Sequence, residues 1–155
     1  MADFKKHYVF KGKILIVGFG AVGQGTLPLI LRHIDMPKDN VSVITAEEWG
    51  REIAEEYGVA FRVEPLTQEN YVRILDRELK AGDFLFNASF DVSSLALIEY
   101  CRARDIMYLD ACIEPWAGVP WTRSRRHAAP FSPTVTTTLA PAGPLTVQPP
   151  DSVMT

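Results

Sequence analysis

The chain has 155 residues, of which 47% are hydrophobic and 23% charged, values typical of one globular domain with a buried core. A formal net charge of -3 argues against nucleic acid as a partner, because nucleic-acid-binding surfaces are basic. No apolar run approaches the roughly 18 residues that span a bilayer, and "MADFKKHYVFKGK" lacks the apolar segment of a signal peptide, so we expect a cytoplasmic protein without a membrane partner.

Short apolar segments predict strands, and the amphipathic segments between them predict helices. The predicted strands are Lys13–Val17, Val41–Ile44, Ala60–Val63, Phe84–Asn87 and Met107–Asp110. The predicted helices are Ala21–His33, Glu47–Gly58, Thr67–Gly82 and Ser93–Arg104. This alternation predicts an α/β, Rossmann-like parallel sheet of strand order 3-2-1-4-5, with helices on both faces and an irregular C-terminal tail.

Single residues define the expected helix ends. Pro28 predicts a kink or an accommodated break in the first helix, because proline lacks a backbone N–H. Gly58 is a natural C-terminal stop for the second helix. Thr67 is placed to cap the third helix, and Ser93 or Ser94 the fourth.

A glycine motif, G-x-G-x-x-G, follows the first predicted strand and opens the first helix. Gly18 permits a tight turn, Gly20 leaves room for a diphosphate, and Gly23 allows the helix to approach the strand. The amides around Ala21 and Val22 lie at the helix N-terminus, which attracts phosphates. The context predicts a dinucleotide site, although a structural turn without a ligand is the alternative.

The second predicted strand is followed by "TAEEWGRE" rather than by a single acidic residue at its tip. Thr45 is suited to hydrogen-bond a ribose hydroxyl, and Glu47 disfavours a 2′-phosphate. No arginine lies within the first few positions after this strand, and we expect Arg51 to lie one turn into the helix. We therefore predict NAD rather than NADP, while Glu47 and Glu48 have an alternative interpretation as charges that favour the helix dipole.

The fourth predicted strand ends in "NASFDVSS", at the point where the strand order reverses. Ligands of open α/β sheets lie beyond the carboxyl ends of the strands at this point. We therefore expect Asn87, Ala88 and Ser89 to line the crevice opposite the glycines, near the ribose or nicotinamide. A loop and helix cap explains the same residue types equally well.

The fifth predicted strand ends in "YLDACIEPWAG", which places Asp110, Glu114 and Trp116 at the same edge of the sheet. Carboxylates beside an aromatic ring suit a cationic substrate through charge pairing and cation–π attraction. Solvated acidic residues are the alternative. The two cysteines, Cys101 and Cys112, are expected to be reduced thiols, and no metal site is predicted.

The composition changes after Gly118. Seven of the eleven prolines lie between Pro120 and Pro150, and four charged residues remain. We expect residues 1–118 to form the NAD(P)-binding domain. Residues 119–155 form a Pro/Thr/Ala-rich tail that is disordered or aberrant, with Thr134–Leu139 as its one strand candidate.

Three segments, "ILIVGFGAVGQGTLPLILRH", "NASFDVSSLALIEYCR" and "YLDACIEPWAG", together resemble the N-terminal region of bacterial homospermidine synthase, a family related to saccharopine dehydrogenase. The resemblance covers about Tyr8 to Gly118. It implies an NAD-dependent transferase that oxidises one putrescine to an imine with loss of ammonia, condenses a second putrescine at that carbon, and returns the hydride to the new imine. Glu114 and Trp116 match the family's "EPW" motif and are implied to bind putrescine; no catalytic residue is assigned.

The family continues after this motif into a long region that carries the substrate and dimerisation domain, whereas the present tail does not resemble it. We therefore expect a truncated or frame-shifted product that is inactive alone. An NAD-sensing or regulatory module and half of a saccharopine dehydrogenase-type oxidoreductase are the alternatives. Without the later structure that normally covers it, the edge of the fifth strand would be exposed, and an exposed apolar edge favours a homodimer.

Overall fold

The structure, a computed structural model, describes residues 5–119. Its strands are β1 (Tyr8–Val9), β2 (Ile14–Val17), β3 (Ile34–Asp35), β4 (Val41–Thr45), β5 (Ala60–Val63), β6 (Phe84–Asn87) and β7 (Met107–Asp110). Its α-helices are α1 (Ala21–His33), α2 (Arg51–Tyr57), α3 (Tyr71–Glu78) and α4 (Ser94–Arg102), and a 3-10 turn covers Lys38–Asn40. The predictions for residues 120–155, including the strand candidate Thr134–Leu139, lie outside the described residues.

The main sheet has five parallel strands in the order β5-β4-β2-β6-β7. The central strand β2 is buried along its whole length, as expected for a strand covered on both faces. Leu15 of β2 pairs with Ser42 on one side and with Leu85 on the other. The predicted Rossmann-like parallel sheet is therefore confirmed.

Helices cover both faces of this sheet. Leu27 of α1 and Ala54 of α2 pack with Ile16 and Phe86 on one face. The other face holds a second apolar cluster, which buries Leu15 of β2, Ile74 and Leu75 of α3, and Leu97, Tyr100 and Cys101 of α4. Successive residues of a strand point to opposite faces of the sheet, so Leu15 and Ile16 belong to different layers.

A second, two-stranded sheet was missed by the sequence analysis. Tyr8 of β1 pairs with Ile34 of β3 in a parallel register, and each strand has two residues. The Lys6 ammonium donates to the carbonyls of Leu31 and Ile34 at 2.5 and 3.0 Å. Strands this short carry no recognisable alternation, so only the packing of the N-terminal segment on the end of α1 reveals them.

Two helix starts differ from the prediction. α2 begins at Arg51 rather than Glu47, because Gly50 has φ +97° and interrupts any right-handed helix before it. α3 begins at Tyr71, with Asn70 at its N-cap position, so Thr67 does not cap it. The Thr67 hydroxyl instead accepts the N–H of Glu69 at 3.3 Å within a preceding turn.

The other predicted helix ends agree more closely. α1 runs without interruption through Pro28, so the proline is accommodated. Gly58 ends α2 in the left-handed region with φ +69°. The hydroxyl of Ser93 accepts the N–H of Ala96 at 3.3 Å and caps α4.

Candidate functional site

The first glycine of the motif lies where the chain leaves β2, directly against the loop after β6. Gly18 has φ +82°, and a Cβ there would lie 2.6 Å from both the nitrogen and the Cα of Ser89. Its N–H donates to the carbonyl of Ile44, and the N–H of Ala88 donates to that of Val17, each at 2.8 Å. The structure thus brings Gly18 together with Ala88 and Ser89.

The second glycine, Gly20, is the N-cap residue of α1, and its surroundings are open. No side chain caps this helix start, and its first turn carries no acidic residue. Among the residues that the structure describes, a Cβ on Gly20 would have one neighbour within 4 Å, the Cζ2 of Trp49 at 3.9 Å. Ala21 and Val22, the first two helical residues, are exposed. Free main-chain N–H groups at an uncapped, unobstructed helix start fit a diphosphate.

The third glycine, Gly23, lets α1 approach the turn. A Cβ on it would lie 2.8 Å from the carbonyl oxygen of Gly18 and 3.1 Å from the ring of Phe19. The side-chain amide of Gln24 donates to the carbonyl of Phe19 at 2.8 Å and ties the same turn to the helix. Gly23 therefore has the packing role that the motif predicts, whereas the part played by Gln24 was not predicted.

The residues after β4 are arranged differently from the prediction. Thr45 ends β4 and is 8% exposed, and Glu47 lies exposed in the following loop. Arg51 is the first residue of α2, not a residue one turn inside it, and its Nε donates to a carboxylate oxygen of Glu48 at 2.6 Å. This hydrogen bond lowers the pKa of Glu48. The acidic residue in the first turn of α2 is Glu52, so Glu47 and Glu48 are not first-turn charges.

Asn87, expected to line the crevice, is completely buried. Its side-chain oxygen accepts from the N–H and hydroxyl of Ser89 at 3.3 and 2.5 Å. Its side-chain nitrogen donates to Asp110 at 3.2 Å and reaches the Tyr108 hydroxyl at 3.5 Å. Asn87 thus does not present its amide to the crevice but holds Ser89, which is half-buried, against Gly18.

Asp110 belongs to the same internal network. Its carboxylate accepts from the Tyr108 hydroxyl and, at 3.2 Å, from the N–H of Cys112. Burial and the hydrogen bond to Asp110 raise the pKa of Tyr108, which therefore stays protonated and donates. Burial and the nearby carboxylate of Glu114 raise the pKa of Cys112. With both oxygens bonded inside the protein, Asp110 does not offer the free carboxylate that the sequence suggested at this edge.

Glu114 and Trp116 lie at the same edge of the sheet, on the face that α3 and α4 cover. The Glu114 N–H donates to the hydroxyl of Ser94, the first residue of α4, at 2.9 Å. The Trp116 ring lies 5.3 Å from the ring of Tyr71, the first residue of α3, and packs half-buried on that layer. The structure therefore places Glu114 beside the start of α4 and Trp116 beside the start of α3.

One exposed aromatic residue beside the glycine turn was missed. Trp49 is 57% exposed, and its Cζ2 lies 3.9 Å from the position that a Cβ on Gly20 would take. The available signal was an aromatic residue in the "WG" pair directly after Glu47 and Glu48, in the loop that follows the second strand of the predicted sheet.

Within residues 5–119, no group of three or more His, Cys, Asp or Glu side chains is arranged to hold a metal ion. None of the helices described in that range has the length and apolar character needed to cross a membrane.

Comparison with known proteins adds three findings. Residues 14–137 match the family described as the saccharopine dehydrogenase NADP binding domain. Curated relatives named homospermidine synthase are 38% identical over 121 residues in Blastochloris viridis and 37% identical over 110 residues in Mesorhizobium japonicum. These matches cover 76% and 69% of this chain, but 25% and 23% of the relatives.

A solved structure is also similar. The crystal structure of homospermidine synthase from Legionella pneumophila in complex with NAD superposes with a TM-score of 0.74 at 37% identity. The match covers 79% of this chain and 26% of that one. The chain thus spans about a quarter of the length of the proteins that it matches.

Proposed function

This chain belongs to the family of saccharopine dehydrogenase NADP-binding domains, and from that membership we propose that it binds NAD at the turn between β2 and α1. The observation that carries the proposal is the open helix start at Gly20, where no side chain caps α1. The resemblance to the NAD-binding region of homospermidine synthase, inferred from the three quoted segments, is confirmed by the relatives.

The main-chain N–H groups of Ala21, Val22 and Gly23 would hold the diphosphate, because they belong to the first turn of α1, where N–H groups lack helical partners. Ala88 and Ser89 form the facing wall across Gly18. When bound, NAD would supply a hydride acceptor and later return the hydride. The Legionella pneumophila relative, whose structure holds NAD, supports this choice of cofactor.

The negative charge of the loop after β4 favours binding of NAD over NADP. Glu47 is exposed in the loop that follows Thr45, where the adenosine ribose lies in this type of fold. The nearby cation, Arg51, is already engaged by Glu48 at 2.6 Å. A 2′-phosphate would therefore meet carboxylates at this position, whereas a ribose hydroxyl can donate to them.

The substrate class that we propose is a diamine, putrescine, by similarity to the relatives named homospermidine synthase. Glu114 would pair with one ammonium group, and Trp116 would attract it through the face of its indole ring. Both residues lie against the starts of α3 and α4, and the chain spans about a quarter of those relatives. We infer that these 155 residues bind the cofactor without forming homospermidine on their own.

The edge of the sheet at β7 is a candidate surface for self-association. β7 has no strand beyond it among the described residues, and Met107, Leu109 and Ile113 are 42%, 52% and 74% exposed. Unpaired strand edges with apolar side chains pair readily with another chain. We propose that two copies associate through β7.

The experiment that tests the proposed function is calorimetric titration of the 155-residue chain with NAD and NADP, followed by incubation with NAD and putrescine. We expect binding of NAD that is tighter than binding of NADP, and no homospermidine by mass spectrometry. Absence of NAD binding contradicts the cofactor site, and formation of homospermidine contradicts the inferred inactivity.

A further inference from the structure

The loop between β4 and α2 carries an exposed indole ring next to the glycine turn. Trp49 is 57% exposed, and its Cζ2 lies 3.9 Å from the position of a Cβ on Gly20. Large aromatic side chains bury most of their surface in folded proteins, so one that lies open beside a candidate site is informative. The proposed cofactor would reach this ring directly from the first turn of α1.

The backbone holds Trp49 in this place. Its neighbour Gly50 has φ +97°, and a Cβ on Gly50 would lie 2.9 Å from the ring of Phe19 and 2.7 Å from the side-chain nitrogen of Gln24. That nitrogen also donates to the carbonyl of Phe19 at 2.8 Å. The loop is therefore packed directly onto the glycine turn, and the position of the Trp49 backbone relative to Gly20 is set before any ligand binds.

The position of the loop identifies the half of the dinucleotide that it meets. In a parallel sheet of this type, the residues after the second strand contact the adenosine ribose. Here that strand is β4, and the loop carries Glu47, exposed, two residues before Trp49. A flat aromatic surface at this point suits a heteroaromatic base attached to that ribose, because bases stack on indole rings.

We propose that Trp49 provides the aromatic face against which the adenine ring of the dinucleotide packs. The proposal rests on the proposed NAD site and adds to it a residue that selects the adenine half. It is separate from the putrescine contact proposed for Trp116, whose ring packs against Tyr71 at the start of α3.

The test compares Trp49→Ala and Trp49→Phe with Tyr8→Ala in the full 155-residue chain. Tyr8, 58% exposed in β1, is a matched exposed aromatic outside the proposed site. Calorimetric titrations use NAD, AMP and nicotinamide mononucleotide. We expect Trp49→Ala to weaken the binding of NAD and of AMP about tenfold or more, the effect of losing one base-stacking contact. Trp49→Phe should retain most of the affinity, and Tyr8→Ala should bind like the wild type.

Equal affinity of Trp49→Ala and the wild type for NAD and AMP overturns the proposal while the cofactor site itself stands. A wild-type chain that binds no NAD overturns the proposed function and this inference together. Fluorescence gives a second readout that does not require the alanine variant to fold. The proposal is supported if NAD quenches the tryptophan fluorescence of the wild type and this quenching is lost in Trp49→Phe. Equal quenching of the two chains overturns it.

Discussion

Gly18 and Ser89 approach each other so closely that a methyl group on Gly18 would lie 2.6 Å from the Ser89 backbone. This contact joins the turn after β2 to the loop after β6, the two neighbouring strands at the centre of the sheet. The two walls of the proposed crevice are therefore one packed unit, and its shape depends on a residue without a side chain.

Gly18→Ala should lower the free energy of unfolding by about 2–5 kcal/mol, because a left-handed alanine costs about 1–2 kcal/mol and forced overlap in a packed site adds 1–3. Gly58→Ala is the matched control, since Gly58 has φ +69° but no atom of the described part of the chain within 4 Å of its Cβ position. It should cost about 1 kcal/mol. Urea denaturation measures both variants, and equal losses would show that the contact with Ser89 contributes nothing.

Asn87→Ala should destabilise the protein by about 2–3 kcal/mol, because it removes the buried amide that is the partner of Ser89 and of the Asp110 carboxylate. Ser89→Ala removes one hydroxyl from the same network and should cost about 1 kcal/mol. Chemical denaturation compares the two. We also expect weaker NAD binding in Asn87→Ala, because Ser89 loses its support; a variant with wild-type stability would disprove the role of the network.

Glu78 should make stability depend on pH. Burial opposes its ionisation, but hydrogen bonds from Lys13, Arg62 and Arg77 outweigh this and lower its pKa from 4.5 to about 2. Since the pKa is lower in the folded state, the stabilisation is complete above about pH 4.5 and is lost as the pH falls towards 2.

Glu78→Gln should therefore lower stability by roughly 2 kcal/mol at pH 7, and the difference from the wild type should disappear near pH 2. Thermal denaturation across this range measures the difference. Glu48→Gln, which removes an exposed pair with Arg51, is the control and should change stability little. A difference for Glu78→Gln that persists unchanged at low pH would rule out ionisation as the cause.

Leu109→Lys should convert a self-associated species to a monomer, because it places a charge on the exposed face of the edge strand β7. Leu95→Lys, on the exposed side of α4, is a control of similar exposure. Light scattering after size exclusion gives the masses. A monomeric wild type, or a dimer that Leu109→Lys does not change, would contradict association through β7.

The sequence predicted the parallel sheet because its strands are apolar runs bounded by turn signals; Ala60–Val63, Phe84–Asn87 and Met107–Asp110 match the structure residue for residue. The glycine motif likewise predicted the turn at Gly18, which has φ +82°, and the close approach of the helix at Gly23. Both features are local, so neighbouring residues suffice to define them.

Features that depend on distant contacts were not predicted. The Gly50 backbone packs on Phe19 and Gln24, and this contact delays the start of α2 and fixes Trp49 beside Gly20. The burial of Asn87 depends on Asp110, which is 23 residues away along the chain. A strand-end pattern identifies the edge on which a polar residue lies, but not whether its hydrogen bonds are made inside the protein.

The most direct test of the central claim, that the uncapped start of α1 binds the diphosphate of NAD, is a calorimetric titration of three chains with NAD. Among residues 5–119, a methyl group at Gly20 would meet only Trp49, at 3.9 Å. Gly20→Ala should therefore fold normally, but its methyl group should crowd the diphosphate and weaken NAD binding at least tenfold. Gly25→Ala, whose methyl group would meet no atom of that same range within 4 Å, should bind NAD like the wild type. Unchanged NAD affinity in Gly20→Ala, or no binding by the wild type, would contradict the account.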